Sequence, residues 1–402
     1  MTAVRLGGRA RLLYAGTFAM FFDRFSIAPM LIPIARDLHV PLAAVASVAT
    51  VYFVLYGAMQ IVYGMISDRI GRVRLMRIAC VGAAAAGTVS AVAPNLPVLV
   101  AGRAATAGTI CALFPSALTY IADTFPFQVR QRAVADLLIW VALGTSMATL
   151  GAGLLATYVS WRGAFLLPAV AMLGLAYALR WLPESLAVAA AGSPLDQLRR
   201  AALRPWVVFL VVLALPEGAC ILGFLTFLAP ALEAHGASAA IAGLVTGIYG
   251  IAVLAGTQVV RRMAVGVRPW ALIAGGGACL AACFAIAALR QTVPTILAAS
   301  ALAGLAYATM HSTFQTWATE MAPELRGTAT ALFATGAFLG AALSTAALAG
   351  LAEAGRYAAL FWIAVLVTVP TMSIGAVARR RFPDRGAGPG PISAGPAAGP
   401  GR

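Results

Sequence analysis
Five ionisable side chains stand in stretches of the chain that otherwise carry no charge: Asp23, Arg24, Arg103, Glu217 and His311. A carboxyl taken out of water favours its neutral form, so Asp23 and Glu217 can take and release protons unless a neighbouring Arg opposes it. Arg103 cannot lose its proton, and its chemistry is to tune a carboxylate or to meet charge on a substrate. The structural alternative is an ion pair for each acid, Asp23 with Arg103 and Glu217 with Arg24. On a helix Asp23 and Arg24 lie about 100° apart, so they look into different environments. His311, with Gln315 one turn later, can line an aqueous vestibule or serve as a hydrogen-bonded packing residue. Phe18, Phe21, Phe22 and Phe25 follow helical spacing, which makes Phe22 a candidate contact for an apolar substrate or a packing residue.

The elements that must position these groups are set by composition. The 402 residues are 61% hydrophobic and 10% charged, and the mean hydropathy is +0.91, far too apolar for a water-soluble domain. Segments of the length needed to cross a bilayer, about 20 apolar residues, fall at 12–34, 43–65, 75–94, 97–121, 133–159, 163–182, 206–231, 239–260, 269–289, 293–318, 327–350 and 356–378. Inside hydrocarbon a charge costs several kcal/mol, so each buried ionisable residue is a candidate functional group. Asp23 and Glu217 both fall near the middle of their segments.

All 28 basic residues are Arg, giving a net charge of +15. With the N-terminus placed inside, 22 of them fall on cytoplasmic segments, 4 on outer loops (Arg36, Arg162, Arg290, Arg356) and 2 within the membrane (Arg24, Arg103). The positive-inside rule therefore predicts that both termini are cytoplasmic in an inner membrane. Charge that alternates with topology forms no stripe for nucleic acid. Without Lys there is no Walker A loop and no Schiff-base enzyme. The five cysteines, in apolar segments without metal-site spacing, read as packing. The basic start and long apolar run read as a retained first helix, since the run outlasts a signal peptide.

The segments divide six and six around 183–204. The expected organisation is a bundle over 1–182, a linker over 183–204, a second bundle over 205–378 and a disordered tail over 379–402. Within the linker, Ser193-Pro194-Leu195-Asp196 reads as a helix start, and Leu195, Leu198 and Leu203 alternate with Arg199, Arg200 and Arg204. A short amphipathic surface helix and a solvated linker are both open readings. Asp123-x-x-Pro126-x-x-x-Arg130 after segment four recurs as Glu320-x-x-Pro323-x-x-Arg326 after segment ten. Small-residue stripes, Gly144-Ala148-Ala152 and Gly336-Gly340-Ser344, mark segments five and eleven for close packing. These echoes predict an all-α membrane protein of twelve transmembrane helices in two pseudo-symmetric six-helix bundles, with a solvent-reachable chamber between them near the midplane.

Between segments two and three stands Gly64-Met65-Ile66-Ser67-Asp68-Arg69-Ile70-Gly71-Arg72-Val73-Arg74, which resembles the G-x-x-x-D-R-x-G-R-x-R signature of the major facilitator superfamily. Gly102-Arg103, Trp161-Arg162, Pro183-Glu184 and Pro323-Glu324-Leu325-Arg326-Gly327-Thr328 stand at further positions of the resemblance. It implies a secondary transporter in which Asp68 contacts the start of segment eleven and holds the inward side closed. Gly64, Asp68, Arg69, Gly71, Arg72, Asp123, Glu320 and Arg326 are then gating candidates. It also implies a role for Arg103 in proton coupling or substrate charge, and it favours the drug:proton antiporter and sugar-efflux branch. Ala148-Thr149 stands where those antiporters carry a Gly-Pro pair.

The leading expectation is proton-coupled efflux of a drug or metabolite, with Asp23, Glu217 and Arg103 coupling protons and Arg24, Arg103, His311, Gln315 and Phe22 contacting substrate. The alternatives are proton-coupled uptake of an organic acid, with Arg24 and Arg103 meeting its carboxylate, and a non-transporting membrane sensor. No metal, no cofactor and no enzyme activity are expected; the partners are a small-molecule substrate, protons and the bilayer, and the chain is expected to be a monomer.

Overall fold
The computed structural model describes residues 3–185, 194–263 and 266–382, without the side chains of 3–6, 64–69, 194, 195 and 263. Twelve apolar helical segments follow one another. The first, α1, is bent by 43° between Gly7–Phe25 and Ala28–Asp37. The others are α2 (Leu42–Ile70), α3 (Arg72–Ala91), α4 (Leu96–Thr124), α5 (Phe127–Tyr158), α6 (Trp161–Trp181), α7 (Pro205–Ala234), α8 (Ala239–Met263), α9 (Pro269–Leu289), α10 (Val293–Met321), α11 (Pro323–Glu353) and α12 (Tyr357–Arg381). The sequence expectation of twelve spans is met, with α12 running three residues past its expected end. A short helix, Pro194–Ala202, forms in the linker, while the expected helix start at Ser193 and the tail from Pro383 lie outside the described residues.

The outer surface is built for lipid. Along α6, Leu166, Val170, Leu173 and Tyr177 form one exposed stripe, between 45% and 61% accessible. In water a surface of this kind invites aggregation, whereas in a bilayer it is the natural exterior. Inside each bundle the driving force is packing, because lipid tails are as apolar as the side chains they would replace. The two predicted stripes serve that purpose: Gly144 lies against the Phe18 backbone of α1, and Gly336 and Gly340 against the Val211 and Leu215 carbonyls of α7. A Cβ at Gly340 would fall on the Leu215 oxygen, so this crossing requires glycine.

Between the bundles, α2 packs along α11 and α5 along α8. Thr50 and Thr345 share a hydrogen bond of 2.9 Å, and the Thr335 hydroxyl donates to the Gly57 carbonyl at 2.9 Å. On the other seam, Gly243 meets the Thr149 carbonyl and Gly250 meets Ser146. The five cysteines are free thiols, four of them buried.

Gly340→Val is expected to cost about 1–3 kcal/mol by overpacking, read as a lowered thermal midpoint in detergent. Gly350→Ala, with nothing within 4 Å of the added carbon, should leave the midpoint unchanged.

Candidate functional site
Pro29 supplies no N–H for the Phe25 carbonyl four residues back, the helix ends at Phe25 and the chain passes a 3-10 turn at Ala28–Met30. At this end the Asp23 carbonyl accepts from the Ser26 hydroxyl at 2.9 Å and Arg103 Nη2 at 3.2 Å. The same guanidinium grips the Asp23 carboxylate, Nη1 to Oδ1 at 2.6 Å and Nη2 to Oδ2 at 3.0 Å. Tyr52 donates to Oδ2 at 3.3 Å, and the rings of Tyr52 and Phe165 flank the guanidinium at 4.7 Å each. Asp23 and Arg103 are 2% and 1% exposed. A bidentate, fully buried fork of this kind fixes geometry, and since Arg keeps its proton the pair acts as a staple across the hinge of α1, among α1, α2, α4 and α6.

The second half repeats the plan with different chemistry. Pro216 precedes Glu217, and α7 then passes through a π turn at Ala219–Gly223 and a 3-10 turn at Phe224–Phe227. A second π turn, Tyr307–His311, interrupts α10, and π turns mark functional sites because they re-aim side chains. Here they bring His311 Nδ1 to 2.7 Å from Glu217 Oε1. Glu217 is fully buried and His311 is 6% exposed, with the imidazole tilted against the Tyr307 ring at 4.5 Å and near Phe333 at 5.7 Å. Glu217 Oε2 has no hydrogen-bond partner among the described residues. Asp23 and Glu217 thus each stand at a helix break and each take a base from the fourth helix of their own bundle. One partner is a guanidinium with a rigid fork of donors, the other an imidazole with two ring nitrogens.

Arg24 turns away from Asp23 to the seam between the bundles. Its guanidinium stands over four rings: Phe338 of α11 at 4.6 Å, Tyr56 at 5.1 Å, Phe25 at 5.1 Å and Phe21 at 5.6 Å. No carboxylate among the described residues pairs with it, and the sequence-level alternative of a Glu217–Arg24 pair is replaced by Glu217–His311. From Phe25 the rings continue to Tyr249 at 6.1 Å and on to Tyr307 at 6.1 Å, so aromatic side chains lead from the first bundle to His311. A void of about 10 Å³ beside Arg24 and Arg103, lined also by Tyr52 and Phe53, has room for about one water.

On the arginine-rich face, Gly71 turns the chain between α2 and α3 with a positive φ of 91°. Glu184 caps the start of α3, accepting from the backbone N–H of Val73 at 2.8 Å and Arg74 at 2.9 Å. Arg72 lies 3.6 Å from Asp123, which also accepts from the Ser185 hydroxyl at 3.1 Å. In the second half Glu320 accepts from Arg379 at 2.9 Å, and Arg204 binds Glu324 and, at 3.3 Å, the Met321 carbonyl. Arg326 is exposed at the start of α11, and Gln315 is exposed on α10. Phe22 is buried against Phe18 and Gly151, away from Arg24. The side chains of Asp68 and Arg69 are outside what the structure describes, as are the surroundings of Gly64.

The site as built holds residues that sequence reasoning did not single out, Tyr52, Tyr56, Tyr249, Tyr307 and Phe338, and it gives Glu184 a role as a helix cap that the sequence reading does not assign. Aromatics scattered through apolar segments carry no signal until the fold assembles them; Pro183-Glu184 did carry one. Removing one partner of a buried ion pair costs about 3–5 kcal/mol, so Asp23→Asn should sharply lower the thermal midpoint. Arg103→Lys should fail to preserve it, since an ammonium cannot serve the carboxylate and the carbonyl together. An Asp23→Asn midpoint equal to wild type would contradict the staple.

The sequence profile of the Major Facilitator Superfamily matches residues 13–256 and 218–398. The chain is 31% identical to multidrug resistance protein D of Escherichia coli over 158 residues, covering 39% of this chain and 40% of that protein. It is 30% identical to a chloramphenicol resistance protein of Streptomyces lividans over 226 residues, 54% of this chain and 57% of that one. The matched region thus spans about half the length of these relatives. Among solved structures, the nucleoside transporter NupG superimposes with a TM-score of 0.77 at 13% identity, covering 92% of this chain and 98% of that one. An inward-facing bacterial homolog of the lysosomal transporter Spinster gives 0.70 at 18% identity, covering 93% and 97%. These likenesses concern the fold, and the profile match over most of the length carries the conclusion: the chain belongs to the Major Facilitator Superfamily.

Proposed function
We propose that the chain is a secondary active transporter that expels a drug-like or metabolite solute in exchange for protons, by alternating access between its two bundles. In this reading it is a monomer in the bacterial inner membrane with both termini in the cytoplasm, in keeping with the distribution of its arginines. The observation that carries proton coupling is the buried Glu217–His311 pair. A carboxyl and an imidazole in contact change charge by one when a proton arrives or leaves, and a buried site that changes charge must respond in its packing. Asp23–Arg103 keeps its charges and serves as the rigid counterpart. Efflux is favoured by the names of the partial relatives, which include the multidrug efflux pump LfrA of Mycolicibacterium smegmatis.

A second reading, uptake of an organic acid with protons, rests on Arg24: a guanidinium at the seam, held by rings and without a carboxylate among the described residues, suits a carboxylate on a planar substrate.

In proteoliposomes with an imposed pH gradient, wild type should move chloramphenicol or a hydrophobic dye. Glu217→Gln should lose at least tenfold of the gradient-driven rate while retaining substrate exchange without a gradient. Gradient-driven transport by Glu217→Gln at the wild-type rate would remove the proton assignment. Accumulation of a labelled aromatic acid, abolished by Arg24→Gln, would favour uptake instead.

A further inference from the structure
We propose that Thr157 and Glu353 form a paired latch that closes the face opposite the arginines, each capping a helix of the other bundle. The N–H groups in the first turn of a helix have no acceptor within that helix. At the start of α2 the Ala43 N–H donates to Glu353 Oε2, from the end of α11, at 2.9 Å. At the start of α8 the Ala240 N–H donates to Thr157 Oγ1, from the end of α5, also at 2.9 Å. The donors stand 197 positions apart and the acceptors 196, so one contact has been made twice by the repeat, with the roles of the bundles exchanged.

Neighbouring residues make the contact close and polar. A Cβ at Gly153 would fall on the Ala239 carbonyl and one at Gly243 on that of Thr149, so the two backbones touch directly beneath the Thr157 cap. Arg36 and Glu233, again 197 positions apart, end the outer parts of α1 and α7 with opposite charges and lie within electrostatic reach of each other. Glu233 is buried, and its Oε1 has no partner among the described residues. Every one of these contacts crosses between bundles, so all are lost together when the bundles part on this face. Water then takes the freed N–H groups, and the latch favours the closed state only by the difference. The Glu353 carboxylate also meets the positive end of α2, a contribution the neutral Thr157 cannot make at α8.

The latch rests on alternating access, but its test reads conformation without substrate or protons. Val92 and Leu289, exposed at the outer ends of α3 and α9, are changed to Cys for spin labelling in a full-length background whose five native cysteines are replaced. In lipid nanodiscs the wild-type background should give a short outer distance as the main population. Thr157→Val and Glu353→Ala should each shift the open-to-closed ratio by about fivefold, typical of a lost cap, and more together. Thr157→Ser, which keeps the acceptor, should stay near wild type, and Glu353→Gln, which keeps an acceptor but loses the charge, should open less than Glu353→Ala. An unchanged distance in the double variant overturns the latch, as does Glu353→Gln opening as far as Glu353→Ala. Should the double variant not fold, the single Thr157→Val decides. A shifted distance without gradient-driven transport would retain the latch and count against the transport reading alone.

Discussion
A charge in a medium of low dielectric must be answered where it stands, and this constraint organises the centre of the molecule. The two buried acids sit where α1 and α7 break, and each break frees backbone or side-chain atoms that would otherwise be lost in the ladder. Arg103 answers Asp23 at three atoms, carboxylate and carbonyl together. His311 answers Glu217 at one and leaves Oε2 open. Both carboxylate oxygens of Asp23 are bonded, and only one of those of Glu217 is. That difference separates a staple from a site that can change state.

The repeat explains why the two sites resemble each other, and the identity of the base explains why they diverge. Guanidinium has five donors in a rigid fork and no accessible neutral form. Imidazole offers two nitrogens and titrates near neutrality. One stands in each bundle, so the first acid is held by a fixed fork and the second by a single contact. Between them, Arg24 reaches across the seam to Phe338, and a chain of rings from Phe25 through Tyr249 to Tyr307 joins the first bundle to His311.

Much of the fold was legible in the residues. Apolar length located twelve spans, and Gly336 and Gly340 announced close packing along α11, though not that α7 is the partner. Asp23, Arg103, Glu217 and His311 stood out because charge in hydrocarbon is costly. Their pairing was less legible: His311 and Glu217 are 94 residues apart, and only the π turns, which leave no mark in hydrophobic pattern, set their register. Phe22 illustrates the opposite case. Helical spacing made it one of four candidates, and the face it occupies was decided by Gly151, a glycine with no distinguishing neighbour in sequence.

The central claim is that the Glu217–His311 pair, and not the Asp23–Arg103 pair, exchanges the proton. Infrared difference titration of the purified protein reads this directly, through the carbonyl stretch of a protonated carboxyl in a dry environment. One component of that band should appear and vanish with pH in wild type, persist in Asp23→Asn and be absent from Glu217→Gln, while the component of the buried Glu233 remains in both variants. A component lost in Asp23→Asn and retained in Glu217→Gln would contradict the account.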